Sequence, residues 1–252
     1  MRWNFVDTGF RSGAFNMEFD ELLASRLEQS DEEGTLRVYG WNPPAISIGR
    51  HQRVEDFDAD ALERAGIDLV RRPTGGRAIL HSRELTYSIV MRSGERSPRE
   101  VYRFISGGLL QAFKLLGVDA ALTENDRGLK APAADPHSLP CFSSSAKDEI
   151  QYEGRKLAGS AQRRYGRVVL QHGSLLLGPQ HRRIVEYLAP AVGHAARLIA
   201  DDLANRTIDV ESILGREVPF EECARAMKQG FELSCGITFE EHDFAFTATQ
   251  PA

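Results

Sequence analysis

The stretch that most constrains this chain is Arg71-Arg72-Pro73-Thr74-Gly75-Gly76-Arg77-Ala78-Ile79-Leu80-His81, which stands between two apolar runs. Residues 67–70 lead into it, and residues 85–91 lead out with bulky and β-branched side chains that suit a buried strand. Pro73 and the Gly75-Gly76 pair interrupt the strand pattern, so the sequence predicts a strand, a turn and a strand. Paired glycines permit positive φ and close approach of a ligand to the backbone. The alternative is a plain surface turn, since glycine pairs are common in turns.

The composition is that of a globular protein. The chain has 252 residues, of which 42% are apolar and 27% charged, enough for one large or two small domains. No apolar run reaches the roughly 18–20 residues that span a bilayer, and the N-terminus lacks the apolar core of a signal peptide. We therefore expect a cytoplasmic protein without a membrane partner. Three widely spaced cysteines, Cys141, Cys223 and Cys235, exclude a disulfide framework and make a metal site improbable.

Charge is unevenly distributed along the chain. The net charge of −5 does not favour binding to nucleic acid. Residues 71–103 nevertheless contain eight arginines and only three glutamates, a local charge of +5. This segment is either a solvated face or a docking surface for an acidic partner.

Apolar periodicity predicts helices over residues 14–29, 56–65, 98–116, 180–188, 210–213 and 220–233. It predicts further strands at residues 3–6, 36–41, 45–49, 150–152, 155–162 and 168–177, with residues 36–49 as a hairpin. Residues 123–145 hold three prolines and little periodicity, which indicates a long loop of the kind that often carries function. The pattern predicts a mixed α+β fold in a single domain, residues 1–252, whose part from about residue 179 is helical. A doubly wound nucleotide fold is disfavoured because its glycine motifs are missing from the sequence.

Two residues stand out as candidates for chemistry. Cys141 lies in the predicted loop, where a thiol becomes reactive if its pKa is lowered; the alternative is an idle loop cysteine. Lys156 lies in a predicted strand followed by small residues, where it can stabilise an oxyanion or a phosphate; the alternative is a solvent-facing lysine. His81 and His172 can orient a substrate, although each taken alone is better explained as a structural histidine.

Four ordered segments of the chain resemble the biotin/lipoate protein ligase superfamily. They are Asn16-Met17 with Asp20-Glu21-Leu22-Leu23, residues 41–52, the glycine turn with Glu84-Leu85-Thr86-Tyr87-Ser88, and residues 154–162 with Leu170-Gln171-His172-Gly173-Ser174. The resemblance covers about residues 14–177 and implies a fold similar to class II biotin/lipoyl synthetases, a mixed and largely antiparallel sheet flanked by helices. Gly75-Gly76-Arg77 and Cys141-Phe142 resemble the cysteine-dependent octanoyltransferases of this superfamily, whereas residues 143–150 match loosely.

The resemblance implies octanoyl transfer from octanoyl-acyl carrier protein to a lysine of a lipoyl domain of the 2-oxoacid dehydrogenases or of the glycine-cleavage H protein. It implies that Cys141 is the nucleophile, that Lys156 polarises the acyl carbonyl, and that no cofactor or metal is needed. It further implies a set of substrate-binding residues: Arg72, Thr74, Gly75, Gly76, Arg77, His81, Gly159, Ser160, Ala161, His172 and Gly173.

Two alternatives stay open at this stage. The first is a lipoate-protein ligase that uses ATP and Mg and forms lipoyl-AMP, in which Cys141 is incidental. The second is a non-catalytic protein that binds acyl carriers or lipoyl domains, which the joint presence of Cys141 and Lys156 disfavours. A monomer is the default expectation.

Overall fold

The computed structural model describes residues 1–123 and 149–241. The strands are β1 (Arg2–Arg11), β2 (Gly34–Trp41), β3 (Ala45–Ile48), β4 (Asp68–Arg71), β5 (Ile79–His81), β6 (Glu84–Arg92), β7 (Ala121–Leu122), β8 (Ile150–Tyr152), β9 (Arg155–Tyr165), β10 (Val168–Leu176) and β11 (Thr238–Glu241). The helices are α1 (Gly13–Gln29), α2 (Ala59–Ala65), α3 (Pro98–Leu115), α4 (Ala196–Arg206), α5 (Val210–Leu214) and α6 (Phe220–Cys235). Short 3₁₀ segments lie at Val54–Asp56, Pro179–Tyr187 and Pro190–Ala195.

The described strands form two sheets. The large sheet has eight strands in the order β11-β1-β2-β6-β10-β9-β8-β7. It is parallel where β1 meets β2 and β11, and antiparallel at its other pairs. The small sheet has the order β4-β3-β5. This confirms the predicted fold class, α+β with a mixed, largely antiparallel sheet flanked by helices.

Helices cover both faces of the large sheet. On one face, α1 packs Phe19, Leu23 and Leu27 against apolar residues of β6 and β10. On the other face, α3 and α6 share the largest core cluster with β2, β6 and β10. The central strands β2 and β10 are buried along their whole length, as expected of strands covered on both sides.

Helix ends follow the capping signals in the sequence. Ser97 and Glu100 form a capping box at the start of α3, with Pro98 in its first turn, as predicted. Asp58 caps α2 by accepting a hydrogen bond from Ala61 N at 2.9 Å. The serine cap of α1, Ser12, lies at the boundary predicted from apolar spacing.

The predicted hairpin over residues 36–49 is wrong. Both edges of β2 are occupied by β1 and β6, so no edge is left for β3. The chain crosses instead to the small sheet, where β3 pairs with β4 and β5. Two elements were not predicted: α4, which buries only Ile199 and Leu203, and the edge strand β11. The predicted helix over residues 180–188 is a 3₁₀ segment.

No helix within residues 1–123 and 149–241 is long and apolar enough to cross a membrane.

The contact between α3 and α6 requires glycine. A Cβ added at Gly230 would lie 2.6 Å from the backbone nitrogen of Ala112, well inside van der Waals contact. We therefore expect Gly230→Ala to lower the free energy of unfolding by about 1–3 kcal/mol through overpacking, although alanine is the better helix former. Urea unfolding of the parent and the variant measures this difference.

The exposed neighbour Gln229 provides the control, since Gln229→Ala should change stability by less than about 0.5 kcal/mol. If Gly230→Ala and Gln229→Ala were equally stable, the close contact of α6 with α3 at Gly230 would be contradicted.

Candidate functional site

The glycine turn joins β4 to β5, which lie on either side of β3. The buried side chain of Arg72 holds the turn from beneath. Its guanidinium donates to the carbonyl oxygens of Gly75 at 2.9 Å, Arg77 at 2.7 Å and Ser47 at 2.8 Å. Burial lowers the pKa of Arg72 to about 10, so the group stays charged at neutral pH. The hydrogen bonds that the structure gives Arg72 thus fix the backbone of the turn.

A second loop packs directly on this turn. Gly76 has a φ of 90°, in the left-handed region that favours glycine. A Cβ at Gly49, just after β3, would lie 2.0 Å from the carbonyl oxygen of Gly76, so only glycine fits there. The next residue, Arg50, donates its backbone N–H to the carbonyl oxygen of Thr74 at 3.0 Å. A Cβ at Gly75, by contrast, would meet no atom of residues 1–123 or 149–241 within 4 Å.

A buried hydrogen-bond chain ties the turn to the core of the large sheet. Thr74 Oγ1 lies 2.6 Å from His172 Nε2, and His172 Nδ1 lies 3.0 Å from Asp20 Oδ2. Arg37 donates to Asp20 Oδ1 at 2.7 Å, and Tyr39 donates to Oδ2 at 3.0 Å. A carboxylate only accepts, so His172 donates from Nδ1. The ring of His172 is thereby oriented with Nε2 towards the turn.

Asp20 remains ionised in this setting. Burial alone would raise the pKa of its carboxyl group, but the charge of Arg37 and the hydrogen bond from His172 outweigh burial and hold the pKa below its ordinary value. Both charged side chains of the pair are fully buried. The guanidinium of Arg37 also lies 3.8 Å from the centre of the Tyr39 ring.

His81 belongs to a separate buried cluster at the end of β5. Its Nε2 lies 2.7 Å from Ser47 Oγ, its Nδ1 lies 2.6 Å from Glu84 Oε1, and its ring stacks on Trp41 with centroids 4.1 Å apart. Ser174 also hydrogen-bonds to Glu84. Burial opposes ionisation of Glu84, but His81 and these hydrogen bonds keep its pKa below the ordinary value. The contacts of His81 link the small sheet to the large one.

Small residues let β9 and β10 approach closely beside the turn. A Cβ at Gly173 would lie 2.5 Å from the carbonyl oxygen of Gly159 and 2.7 Å from the ring of Tyr87. Ser160 Oγ lies 2.7 Å from Tyr87 Oη. Ala161 is the register partner of His172, so its side chain lies on the same face as that histidine.

Lys156 lies near the start of β9, where a bulge sets its direction. The register shifts at Leu157, and both Leu157 and Ala158 lie in the core on the α3 side. Because side chains alternate along a strand, Lys156 then shares a face with Gly159, on the side of the turn. Its Nζ donates to Glu149 Oε1 at 2.6 Å, with 13% of the lysine and 5% of the glutamate side chain exposed.

The structure therefore brings together most of the predicted site residues. The turn, His172, Lys156, Gly159 and Ala161 meet on one face of the large sheet. Gly173 and Ser160 face Tyr87 on the opposite side of the sheet, and the hydrogen bonds of Arg72 and His81 go to protein atoms. Cys141 lies outside the described residues, and substrate contact by any of these side chains stays a prediction. Sequence reasoning missed the roles of Arg37 and Glu149. For Arg37 the sequence did contain a signal, because a charged residue inside an apolar strand needs a buried partner.

The arginines of residues 71–103 do not form one surface. Arg72 is buried under the turn, Arg83 pairs with Glu211 and Glu217, and Arg92 donates to backbone carbonyls in the last turn of α1 and just after it. The local charge of +5 is therefore not presented on one surface, because partly or fully buried guanidinium groups are satisfied by protein acceptors. Docking of an acidic partner on the remaining arginines stays a prediction. Only the arginines around the start of α3 face solvent as a group.

Comparison with known proteins identifies the family. The model of the lipoyl protein ligase A/B catalytic domain matches residues 12–232. The chain belongs to this family. It is 38% identical over 249 residues to octanoyltransferase LipM of Geobacillus kaustophilus, covering 95% of this chain and 88% of that protein. It is 43% identical over 241 residues to octanoyltransferase LipM of Symbiobacterium thermophilum, covering 94% and 87%. It is, like these relatives, an acyltransferase.

Solved structures agree on the fold of this lipoyl protein ligase A/B family member. The bi-partite lipoate protein ligase of Thermoplasma acidophilum superposes with a TM-score of 0.75 at 20% identity, covering 96% of this chain and 87% of that one. The fold is thus shared where sequence identity is low.

We expect Asp20→Asn to lower the free energy of unfolding by about 3–5 kcal/mol at pH 7, because it leaves the buried charge of Arg37 without a partner. Because the pKa of Asp20 is lower in the folded protein than its ordinary value of 3.8, the ionised carboxylate stabilises the fold at pH values above 3.8. That contribution is lost as pH falls through the lower native pKa. Urea unfolding between pH 7 and pH 3 should therefore show the difference between parent and variant shrinking in acid.

The exposed Asp201 in α4 provides the control, and Asp201→Asn should match the parent at each pH. A difference between Asp20→Asn and the parent that does not change with pH would contradict the assignment of the ionised carboxylate.

Proposed function

We propose that the protein is an octanoyltransferase of lipoate biosynthesis that carries the octanoyl group on Cys141 and passes it to a lysine of a lipoyl domain or of a glycine-cleavage H protein. The observation that carries the proposal is the similarity to octanoyltransferases over 94–95% of the chain. The convergence of the glycine turn, Gly159 and Ala161 of β9 and Lys156 on one face supports it.

The chemistry is two successive acyl exchanges. The thiolate of Cys141 attacks the thioester carbonyl of octanoyl-acyl carrier protein, a C–S bond to Cys141 forms, and the carrier thiolate leaves. The ε-amine of the acceptor lysine then attacks the new thioester, a C–N bond forms, and the thiolate of Cys141 leaves while the amine loses a proton. The first exchange replaces one thioester by another, and the second forms a stable amide. ATP is therefore not required.

Lys156 is the described cation best placed to assist both exchanges. An ammonium beside the acyl carbonyl stabilises the negative charge that develops on oxygen in each tetrahedral intermediate. The hydrogen bond to Glu149 fixes the direction of the side chain. Because Lys156 is mostly buried, its charge acts in a medium that screens less than water.

The small residues beside the turn suit an apolar chain. Gly159 and Ala161 put no more than a methyl group on the face that carries the turn. Each buried methylene of an octanoyl chain contributes about 0.8 kcal/mol, so a slot along these residues would discriminate between chain lengths.

The central test replaces Cys141 and, as a control, Cys235. We expect Cys141→Ser to abolish octanoyl transfer, measured as octanoylated lipoyl domain by mass spectrometry. The other cysteines are poor nucleophiles, since burial raises the pKa of Cys223 to about 12 and of Cys235 to about 11.

Cys235→Ser is the control for that experiment and should retain transfer activity. Full transfer activity of Cys141→Ala would contradict the proposed mechanism. ATP-dependent lipoate transfer by this variant would establish the ligase alternative.

We expect Lys156→Met to reduce octanoyl transfer by about 10²–10³-fold, the range for removal of one group that stabilises an oxyanion. It should also lower the free energy of unfolding by about 1–3 kcal/mol, because the buried carboxylate of Glu149 loses its partner. Adding Glu149→Gln removes the unpaired carboxylate. The double variant Lys156→Met/Glu149→Gln should therefore recover stability and stay inactive. Activity that returns together with stability would show that Lys156 has only a structural role.

A further inference from the structure

The end of the β9–β10 hairpin and the start of α3 bring six arginines to one edge of the molecule. Arg164 donates from Nη2 to the carbonyl oxygen of Arg96 at 2.8 Å. The carbonyl oxygen of Arg167 accepts a hydrogen bond from Ser93 N at 2.9 Å. We call this surface the arginine rim and define it by Arg96, Arg99, Arg103, Arg163, Arg164 and Arg167. Arg96, Arg164 and Arg167 are exposed.

The rim adjoins the glycine turn. Arg163 is the residue before Arg164 on β9, and its Nη1 donates to the carbonyl oxygen of Pro73 at 3.2 Å. Ala161, which lies beneath the turn with His172, is only three residues from Arg164, or about 10 Å along the strand. A partner bound to the rim therefore stands beside the turn.

The rim is opposite in charge to the rest of the molecule. Residues 93–103 and 163–167 contain six arginines and two glutamates, whereas the whole chain has a net charge of −5. One of these glutamates, Glu100, is held in the capping box of α3. Glu21 lies 4.0 Å from Arg163 at the border. An acidic partner is thus attracted to the rim and repelled elsewhere, which orients its approach.

The distance from the rim to Lys156 favours the acyl donor over the acceptor as this partner. Arg163 and Lys156 are seven residues apart on β9, about 20 Å once the extra residue of the bulge at Leu157 is discounted. A lysine side chain cannot cover that distance, so an acceptor domain has to dock nearer to Lys156. An acyl group on the flexible prosthetic arm of a carrier protein can reach it. We infer that the arginine rim docks the acidic carrier protein that delivers the octanoyl thioester, an inference that rests on the proposed function.

The test separates the two half-reactions. The variant Arg164→Glu/Arg167→Glu reverses two charges that make no contact with the turn. We expect the second-order rate constant for acylation by octanoyl-acyl carrier protein to fall about 10-fold or more and to lose most of its salt dependence. Acylation by the uncharged octanoyl thioester of N-acetylcysteamine should not change. Transfer from the pre-acylated variant to a lipoyl domain should also match the parent.

The variant Arg197→Glu/Arg225→Glu makes the same change in net charge on exposed residues of α4 and α6, and should behave as the parent. An equal loss in both charge-reversed variants, or an equal loss with both donors, would overturn the inference. So would a loss confined to transfer onto the lipoyl domain, since the rim would then serve the acceptor. If neither donor acylates the parent protein, the proposed function is contradicted, and the inference that rests on it is contradicted as well.

Discussion

The structure depends on the pairing of Arg37 with Asp20. Neither side chain has exposed surface, so each charge is stable only because the other is 2.7 Å away and the remaining donors are used. Arg37 comes from β2 and Asp20 from α1, so the pair fixes the helix against one face of the large sheet. The same carboxylate accepts from His172 of β10 and thereby extends the constraint to a third element.

That constraint reaches the candidate site through Thr74. The hydrogen bond from Thr74 to His172 anchors the glycine turn to the large sheet, while Arg72 and Gly49 anchor it to the small sheet. The turn is therefore held from both sides, and among the described residues no atom lies where a side chain at Gly75 would begin. A backbone fixed in this way can present its groups to an acyl chain without rearranging when the chain binds.

The sequence allowed the fold class and most of the elements to be predicted, because long apolar strands and the capping box of α3 are local signals. The partner of β3 could not be predicted, since it depends on β1 and β6 occupying both edges of β2. Substrate contact by Arg72 stays a prediction, but its position beneath the turn could not be foreseen, since a residue type does not tell whether an arginine lies over a turn or beneath it. The pairing of Lys156 with Glu149 depends on the bulge at Leu157, which leaves no mark in apolar periodicity.

The most direct test of the account is the intact mass of the protein after mixing with octanoyl-acyl carrier protein in the absence of ATP. The account predicts a single octanoyl adduct that hydroxylamine removes and that peptide mapping places on Cys141. An unmodified protein, an adduct that forms only when ATP is added, or an adduct on another residue would contradict it.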